Sequence, residues 1–76
     1  MTHELKILPA YFDAVYDGRK KFEVRFNDRG YQVGDTLILR EYEKGQYTGR
    51  VVEKKITYVL ENSFGMEPHY CILSIV

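Results

Sequence analysis

Three charged residues near the start of the chain have the types and spacing needed to bind a polar ligand. Lys20, Glu23 and Arg25 bring an ammonium, a carboxylate and a guanidinium onto one short segment. A guanidinium can donate paired hydrogen bonds to a phosphate or a carbonyl, and a carboxylate can accept from the amino group of a base. Because Glu23 would repel a bare phosphate, the set favours a ligand that also carries donors. The alternative is a structural pair between Glu23 and Arg25, worth at most about 1 kcal/mol if exposed.

The surrounding segment is the most basic part of the chain. Residues 18–29 carry five cations and two carboxylates, a local charge of +3. Arg29 is a further candidate contact because it belongs to this region. Lys21 belongs to it as well, although simple solvation is the more economical interpretation of that side chain.

Arg40 and the tyrosines extend the set of candidates. Arg40 follows an apolar run and either faces the same cleft or pairs with Glu41 or Glu43. Tyrosines can stack on bases, but in so small a chain we expect most of the seven to be core. We expect Tyr31 and Tyr70 to be the exposed ones.

The whole-chain composition limits the possible functions. Eleven basic and eleven acidic residues cancel, which argues against strong non-specific polyanion binding and favours a small anionic ligand or a short stretch of nucleic acid. Cys71 is the only cysteine, so neither a disulfide nor a multi-cysteine metal site is expected. His3 and His69 have no ligand partner at suitable spacing, and we predict no metal and no cofactor. Neither a signal peptide nor a membrane span is apparent, which predicts a soluble cytoplasmic protein of one domain, residues 1–76.

The elements that position the charged segment can be predicted from hydrophobic spacing. Residues 3–8 form a short strand, and Pro9 suits the first turn of a helix over residues 10–17. Gly18 is the expected left-handed cap that ends this helix. A strand over residues 20–26 follows.

Apolar and charged residues alternate along this second strand. Because strand side chains alternate between two faces, we expect Phe22, Val24 and Phe26 to face the core and Glu23 and Arg25 to face outward. Lys20 shares the parity of the apolar set, so it should lie on the inward side, either reaching into a cleft or packing along its rim.

Turn-forming residues divide the remaining chain into three strands. Asn27-Asp28 and Gly34-Asp35 mark turns, and strands are predicted over 36–43, 50–60 and 70–76. The segments 44–49 and 61–68 are expected to be loops. The last strand is apolar on both faces, which predicts a position inside the sheet. The fold class is therefore α+β, a small and mostly antiparallel β-barrel with one helix after the first strand.

The residues described above resemble a known family. The ASCH domain, a branch of the PUA-like superfamily, is marked by Gly-x-Lys-x-x-Glu-x-Arg after its first helix. This chain has all four residues at Gly18, Lys20, Glu23 and Arg25. Three flanking segments are similar to a small bacterial and phage family of that group: Tyr11-Phe12, Asn27-Asp28-Arg29 and Val33-Gly34-Asp35.

The resemblance implies a barrel-like fold with a cleft between helix and barrel, lined by the motif. It also implies binding of RNA or a modified nucleoside. Binding by Lys20, Lys21, Glu23, Arg25, Arg29 and Arg40 is our leading hypothesis, with Gly18, Asn27, Asp28, Gly34 and Asp35 in structural roles.

Two other functions stay open at the level of sequence. Some ASCH-like relatives hydrolyse acylated nucleosides with a lysine and a threonine, but the threonine position holds Glu23 here. Binding is therefore favoured over catalysis. The third hypothesis is a protein-interaction accessory that uses the Lys44–Gly49 hairpin.

Overall fold

The computed structural model describes residues 1–76 and contains one helix and five strands. In chain order they are β1 (Thr2–Ile7), α1 (Pro9–Tyr16), β2 (Phe22–Phe26), β3 (Thr36–Glu43), β4 (Gln46–Glu61) and β5 (Tyr70–Ile75). The predicted order of strand, helix and four strands is confirmed. At eight residues, α1 falls far short of the length that a membrane-spanning helix requires.

The largest boundary error concerns the start of β4. Lys44 and Gly45 both adopt positive φ, 51° and 81°, and form a tight two-residue turn between β3 and β4. Such turns match the twist of paired strands. Residues 46–49 therefore belong to the hairpin ladder, and the predicted loop over 44–49 is wrong in that part.

The strands form a single sheet in the order β1-β3-β4-β5-β2. β1 runs parallel to β3, and the other three pairings are antiparallel. The long β4 pairs with β3 along its first part and with β5 along its last part, with a register shift between Ile56 and Tyr58. β5 lies between β4 and β2, as its apolar composition predicted.

The sheet is open. β1 and β2 stand at its two ends, and each has a strand partner on one side only. The structure is thus a mostly antiparallel five-stranded sheet with one short helix. Arg25 of the motif lies beside the gap between the two end strands.

The core lies on the inner side of the sheet, where α1 covers its centre. Phe12 and Val15 of the helix belong to a core of eleven apolar residues that includes Leu37 and Leu39. Each of the eleven is at least nine-tenths buried. Pro9 occupies the first turn, and Gly18 follows the helix with φ of +86°. A non-glycine residue rarely adopts that angle, which explains why the helix ends there.

β2 has the opposite orientation to the predicted one. Phe22, Val24 and Phe26 are each about half exposed, whereas Glu23 is only 4% exposed. The charged set therefore faces inward. The expectation was wrong because β2 is an end strand that pairs only with β5, and its inner side borders a cavity instead of the helix-covered core.

Candidate functional site

Glu23 is a buried carboxylate held between two cations. Its Oε1 accepts from the Lys20 ammonium at 2.7 Å, and its Oε2 accepts from Arg25 Nε at 3.0 Å. Both cations keep partial access to water, with 17% and 22% of their side chains exposed. A buried charge is tolerated only when it is paired and hydrogen-bonded, and Glu23 meets that condition through both oxygens.

The turn after α1 positions Lys20. The Lys20 N–H donates to the Ala14 carbonyl at 2.9 Å, which closes the end of the helix beyond Gly18. The Lys20 ammonium donates a second bond to the Phe22 carbonyl at 2.7 Å. It lies 4.8 Å from the Phe22 ring centre and 5.5 Å from that of Tyr11. Lys20 thus reaches the site from the turn before β2, and the strand parity assigned to it does not apply.

Two arginines bridge the gap between the end strands. Arg25 Nη2 donates to the Lys6 carbonyl at 2.8 Å, and Arg29 Nη1 donates to the Glu4 carbonyl at 2.8 Å. Carbonyls two residues apart point to the same edge of a strand, and the other edge of β1 pairs with β3. The guanidinium groups therefore satisfy acceptors that a neighbouring strand would otherwise use, and this anchors β2 to β1.

A cavity of about 490 Å³ opens beside the Lys20–Glu23–Arg25 cluster. Its apolar wall consists of Ile7, Leu8, Tyr11, Phe22 and Val24. Its polar lining consists of Lys6, Lys20, Glu23 and Arg25. The volume lies within the usual range for small-molecule sites, about 300–1,000 Å³. The three motif side chains thus converge on one hollow next to the helix.

The lining has an excess of positive charge. Three cations and one carboxylate line the cavity, and that carboxylate is already bound by two of the cations. Both oxygens of Glu23 are therefore already engaged by cations. Its position favours a different role, which is to hold the two cations in place for an anionic group.

Arg29 and Arg40 lie together in an adjoining basic depression. Glu4, Leu5, Lys6, Arg25, Arg29, Arg40 and Tyr47 line it. Arg40 pairs with Glu4 at 3.4 Å and not with Glu41 or Glu43. Glu41 is instead bound by the Thr48 hydroxyl at 2.7 Å and by Arg50 at 3.2 Å.

Lys21 does not join the site. Its side chain is exposed and lines a different hollow, beside Lys54 and the end of β5. Its carbonyl accepts from the Ile75 N–H at 3.0 Å, so its ordered contact is with the sheet. Of the six candidate ligand residues, five border the cavity or the basic depression and Lys21 lies apart from both.

The candidate structural residues make local contacts within their turns. Asn27 accepts from the Tyr31 N–H and donates to Glu61, whereas Asp28 is exposed with only a loose contact to Arg29. Gly34 has φ of +95°, the left-handed conformation that its turn requires.

Asp35 is buried and bound by His3 at 2.8 Å and by the amino group of Met1 at 2.9 Å. The hydrogen bond from His3, followed by that from the Met1 amino group, holds the pKa of the Asp35 carboxyl well below its usual value. No hollow adjoins this pair, because neither Asp35 nor His3 lines any cavity.

The expectations for the tyrosines were mostly wrong. Tyr31 is buried, packs edge-on against His3 and has a pKa raised by burial. Tyr70 is exposed as predicted, and so are four tyrosines expected in the core: Tyr11, Tyr16, Tyr47 and Tyr58. Tyr11 and Tyr47 border the two hollows, so the aromatic part of the site was assigned to the wrong residues.

Sequence reasoning also missed Lys6, Leu8 and Phe22 as lining residues. Phe22 lies inside the motif, but its apolar character suggested the core. Tyr11 belongs to the Tyr11-Phe12 pair that supported the resemblance, so a signal was present. Lys6 carried no signal, because only the spatial approach of β1 to β2 brings it to the site.

The comparison with known proteins shows the family of this chain. A family model described as "Domain of unknown function (DUF3850)" matches residues 2–75, and the chain belongs to that family. The chain is also similar to a protein of Escherichia phage P2 described as "Uncharacterized 12.9 kDa protein in GpA 3'region". The two are 45% identical over 74 residues, which cover 97% of this chain and 68% of the phage protein.

Proposed function

We propose that the cavity binds a nucleotide or an RNA end. The observation that carries this proposal is the convergence of Lys20 and Arg25, held by buried Glu23, on a hollow with an aromatic and aliphatic wall. A nucleotide has both complementary parts, an anionic group for the cations and a flat ring for the wall. Such a ligand points to the cytoplasm as the place of action.

The roles of the lining residues follow from their contacts. Lys20 and Arg25 bind a phosphate or carbonyl oxygen with charge-assisted hydrogen bonds. Tyr11 offers a ring that is 53% exposed, on which a base can stack. Glu23 acts through the two cations and does not itself bind the base.

The resemblance to the ASCH branch of the PUA-like superfamily supports the same proposal. We infer that this family is part of that branch, since all four motif residues are present and three of them border the cavity. The open sheet would then be a barrel whose last seam is bridged by Arg25 and Arg29 in place of backbone ladder bonds.

Binding is favoured over hydrolysis of an acylated nucleoside by the lining of the cavity. Acyl transfer through a serine, threonine or cysteine nucleophile needs that side chain beside a base. No serine, threonine or cysteine lines the cavity. Cys71, the one thiol, is fully buried, and burial raises its pKa.

The test is a titration of short single-stranded RNA and of mononucleotides at low salt, read by anisotropy of a labelled probe. Lys20→Ala should weaken binding about tenfold or more, because a charge-assisted bond contributes about 1.5–3 kcal/mol. The matched control is Lys21→Ala, one position away and outside the cavity, which should stay within about twofold. Equal losses in both variants, or no binding of any probe, would overturn the proposal.

A second variant guards against a folding defect in Lys20→Ala. Tyr11→Ala removes a half-exposed ring on α1 and leaves the ion cluster intact. We expect a loss of about 1–3 kcal/mol in binding, the usual contribution of one stacked base. An unchanged affinity would show that the apolar wall does not contact the ligand.

A protein-interaction role is supported by an apolar surface that overlaps the cavity wall at Phe22 and Val24. The outer side of β2 and β5 exposes Phe22, Val24, Phe26 and Tyr70, which is more apolar than an ordinary solvated strand face. Capture of one protein by the immobilised chain, unaffected by nuclease but abolished by Val24→Lys, would favour that role. In the Lys44–Gly49 hairpin, which the sequence suggested for this role, Tyr47 is the one large apolar side chain and is 44% exposed.

A further inference from the structure

The basic depression adjoins the cavity. Lys6 and Arg25 line both hollows, so these two residues form the border that the hollows share. The depression has a volume of about 330 Å³ and is lined by four cations and one carboxylate. That carboxylate, Glu4, is 65% exposed, and it leaves a net charge of +3.

The cations of the depression retain unused donors. Arg29 uses one guanidinium N–H on the Glu4 carbonyl, and Arg40 uses one on the Glu4 carboxylate. A guanidinium has five N–H donors, so most of them remain available. The Lys6 ammonium has no carboxylate within ion-pair distance. An anion can therefore bind here without breaking the contacts that join β1 to β2.

The two arginine anchors are spaced along β1. Their carbonyl partners, on Lys6 and Glu4, are two residues apart, a separation of about 6.6 Å in a strand. Arg25 faces both hollows, whereas Arg29 faces only the depression. The positive charge thus extends away from the cavity along the edge of β1 and is not concentrated at one point.

Tyr47 and the Arg40 guanidinium form an aromatic platform in the lining of the depression. The Arg40 guanidinium lies 3.9 Å from the Tyr47 ring centre, and the Lys6 ammonium lies 4.4 Å from that of Tyr42. The two rings meet edge to face at 5.2 Å. Tyr47 is 44% exposed, so a planar group can stack on the Arg40–Tyr47 pair.

We propose that the depression is a second subsite for single-stranded nucleic acid, binding the phosphodiester and base next to the nucleotide in the cavity. The inference rests on the proposed function of the cavity and deepens it from a mononucleotide to a strand of at least two nucleotides. Arg25, Arg29 and Lys6 contact the backbone, and Arg40 with Tyr47 stacks on the second base. Such contacts are tolerant of sequence, because every base has an aromatic face.

The experiment compares probes of increasing length. AMP and the di- and tetranucleotides of adenosine, with the uridine series in parallel, are titrated against the protein over a range of salt concentrations. The tetranucleotide should bind at least tenfold more tightly than the mononucleotide. The double variant Arg29→Gln with Arg40→Gln should remove this gain and leave AMP or UMP affinity within twofold. Its salt slope for the tetranucleotide should fall by about 0.7, since each lost phosphate contact on a single strand contributes about 0.7 and only Arg29 of this pair contacts the backbone.

Two further variants test whether the gain in affinity with probe length depends on where the positive charge lies and on the planar guanidinium, or only on the total charge. Lys21→Gln with Lys54→Gln removes the same charge from a hollow other than the depression and should leave the length dependence unchanged. Arg40→Lys keeps the charge and loses the planar group, so it should retain the salt slope while losing part of the gain. Equal thermal midpoints of the variants and the parent protein establish that folding is not the cause.

The outcomes distinguish this inference from the function on which it rests. Tetranucleotides that bind no better than mononucleotides, with binding still dependent on Lys20, would overturn the second subsite alone. Equal loss of mononucleotide and tetranucleotide binding in the double arginine variant would do the same. A hexaglutamate peptide that matches the tetranucleotide would show a site for acidic proteins instead. Absence of binding by every probe would end both proposals.

Discussion

β2 and β3 both turn every second side chain inward, yet the inward sets differ in chemistry. In β3, Leu37 and Leu39 are fully buried, and the strand lies within the sheet beneath α1. In β2, Val24 is half exposed and Glu23 is buried, and the strand lies at one end of the sheet. The inner side of β2 borders a cavity lined by three cations, and two of them bind the Glu23 carboxylate.

The difference shows what alternation does and does not determine. A period of two separates the side chains into two sets, but it does not say which set faces inward. For a strand within the sheet, the hydrophobic effect decides. In the end strand β2, Glu23 is buried because Lys20 and Arg25 compensate its charge, and the three apolar side chains stay half exposed.

The largest expected contrast is in stability. Leu39→Ala on β3 should lower the free energy of unfolding by about 3 kcal/mol, because it leaves a cavity in a fully buried position. Val24→Ala on β2 should cost under about 1 kcal/mol, since the side chain is half exposed. Urea unfolding followed by circular dichroism measures both. Equal losses would mean that Val24 is buried and that the orientation of β2 is wrong.

This contrast also marks how much the sequence could predict. The chain order of the elements, the helix end at Gly18 and the interior position of β5 follow from local patterns, whereas the cleft lined by the motif was implied by the resemblance. The inward face of β2 and the partners of Arg25 and Arg29 do not follow from local patterns, because they depend on how β1 approaches β2. The Arg40–Glu4 pair depends on the pairing of β1 with β3. These contacts join residues about twenty to thirty-six positions apart, and no local spacing encodes them.

The next contrast concerns the carboxylate at the centre of β2. Glu23→Gln should lower the free energy of unfolding by about 2 kcal/mol, because it leaves Lys20 and Arg25 without a counter-charge. The cost stays below that of a fully buried pair because both cations reach water. The control is Glu43→Gln at the exposed end of β3, which should change stability by less than about 0.5 kcal/mol. A Glu23→Gln protein as stable as the control would contradict a structural role for the ion cluster.

A smaller effect is expected for the buried carboxylate that precedes β3. Asp35→Asn should lower stability at pH 7 by less than Glu23→Gln, because the Met1 amino group that binds Asp35 is 82% exposed, whereas both cations that bind Glu23 are mostly buried. The pKa of Asp35 is lowered in the folded protein, so its contribution is full above about pH 4 and is lost as the pH falls further.

The difference in unfolding free energy between the parent protein and Asp35→Asn should therefore stay constant from pH 7 to pH 5 and narrow below pH 4. Urea titrations at each pH measure it. Asp28→Asn, at an exposed turn position, is the control and should show no such narrowing. A difference that grows as the pH falls would contradict the lowered pKa.

The smallest effect tests whether β2 opens independently of the rest of the sheet. Cys71 on β5 lies directly opposite Arg25, is fully buried and has a thiol pKa raised by burial. A thiol reagent should therefore label the native protein slowly, and only after local or global opening.

If release of the end strand exposes Cys71, Glu23→Gln should accelerate labelling about tenfold or more. Leu39→Ala should accelerate it less, even though it costs more global stability, because Leu39 anchors the sheet centre and not its end. Labelling rates that instead follow global stability would show that β2 and β3 unfold together, and the contrast between the two strands would then be one of orientation alone.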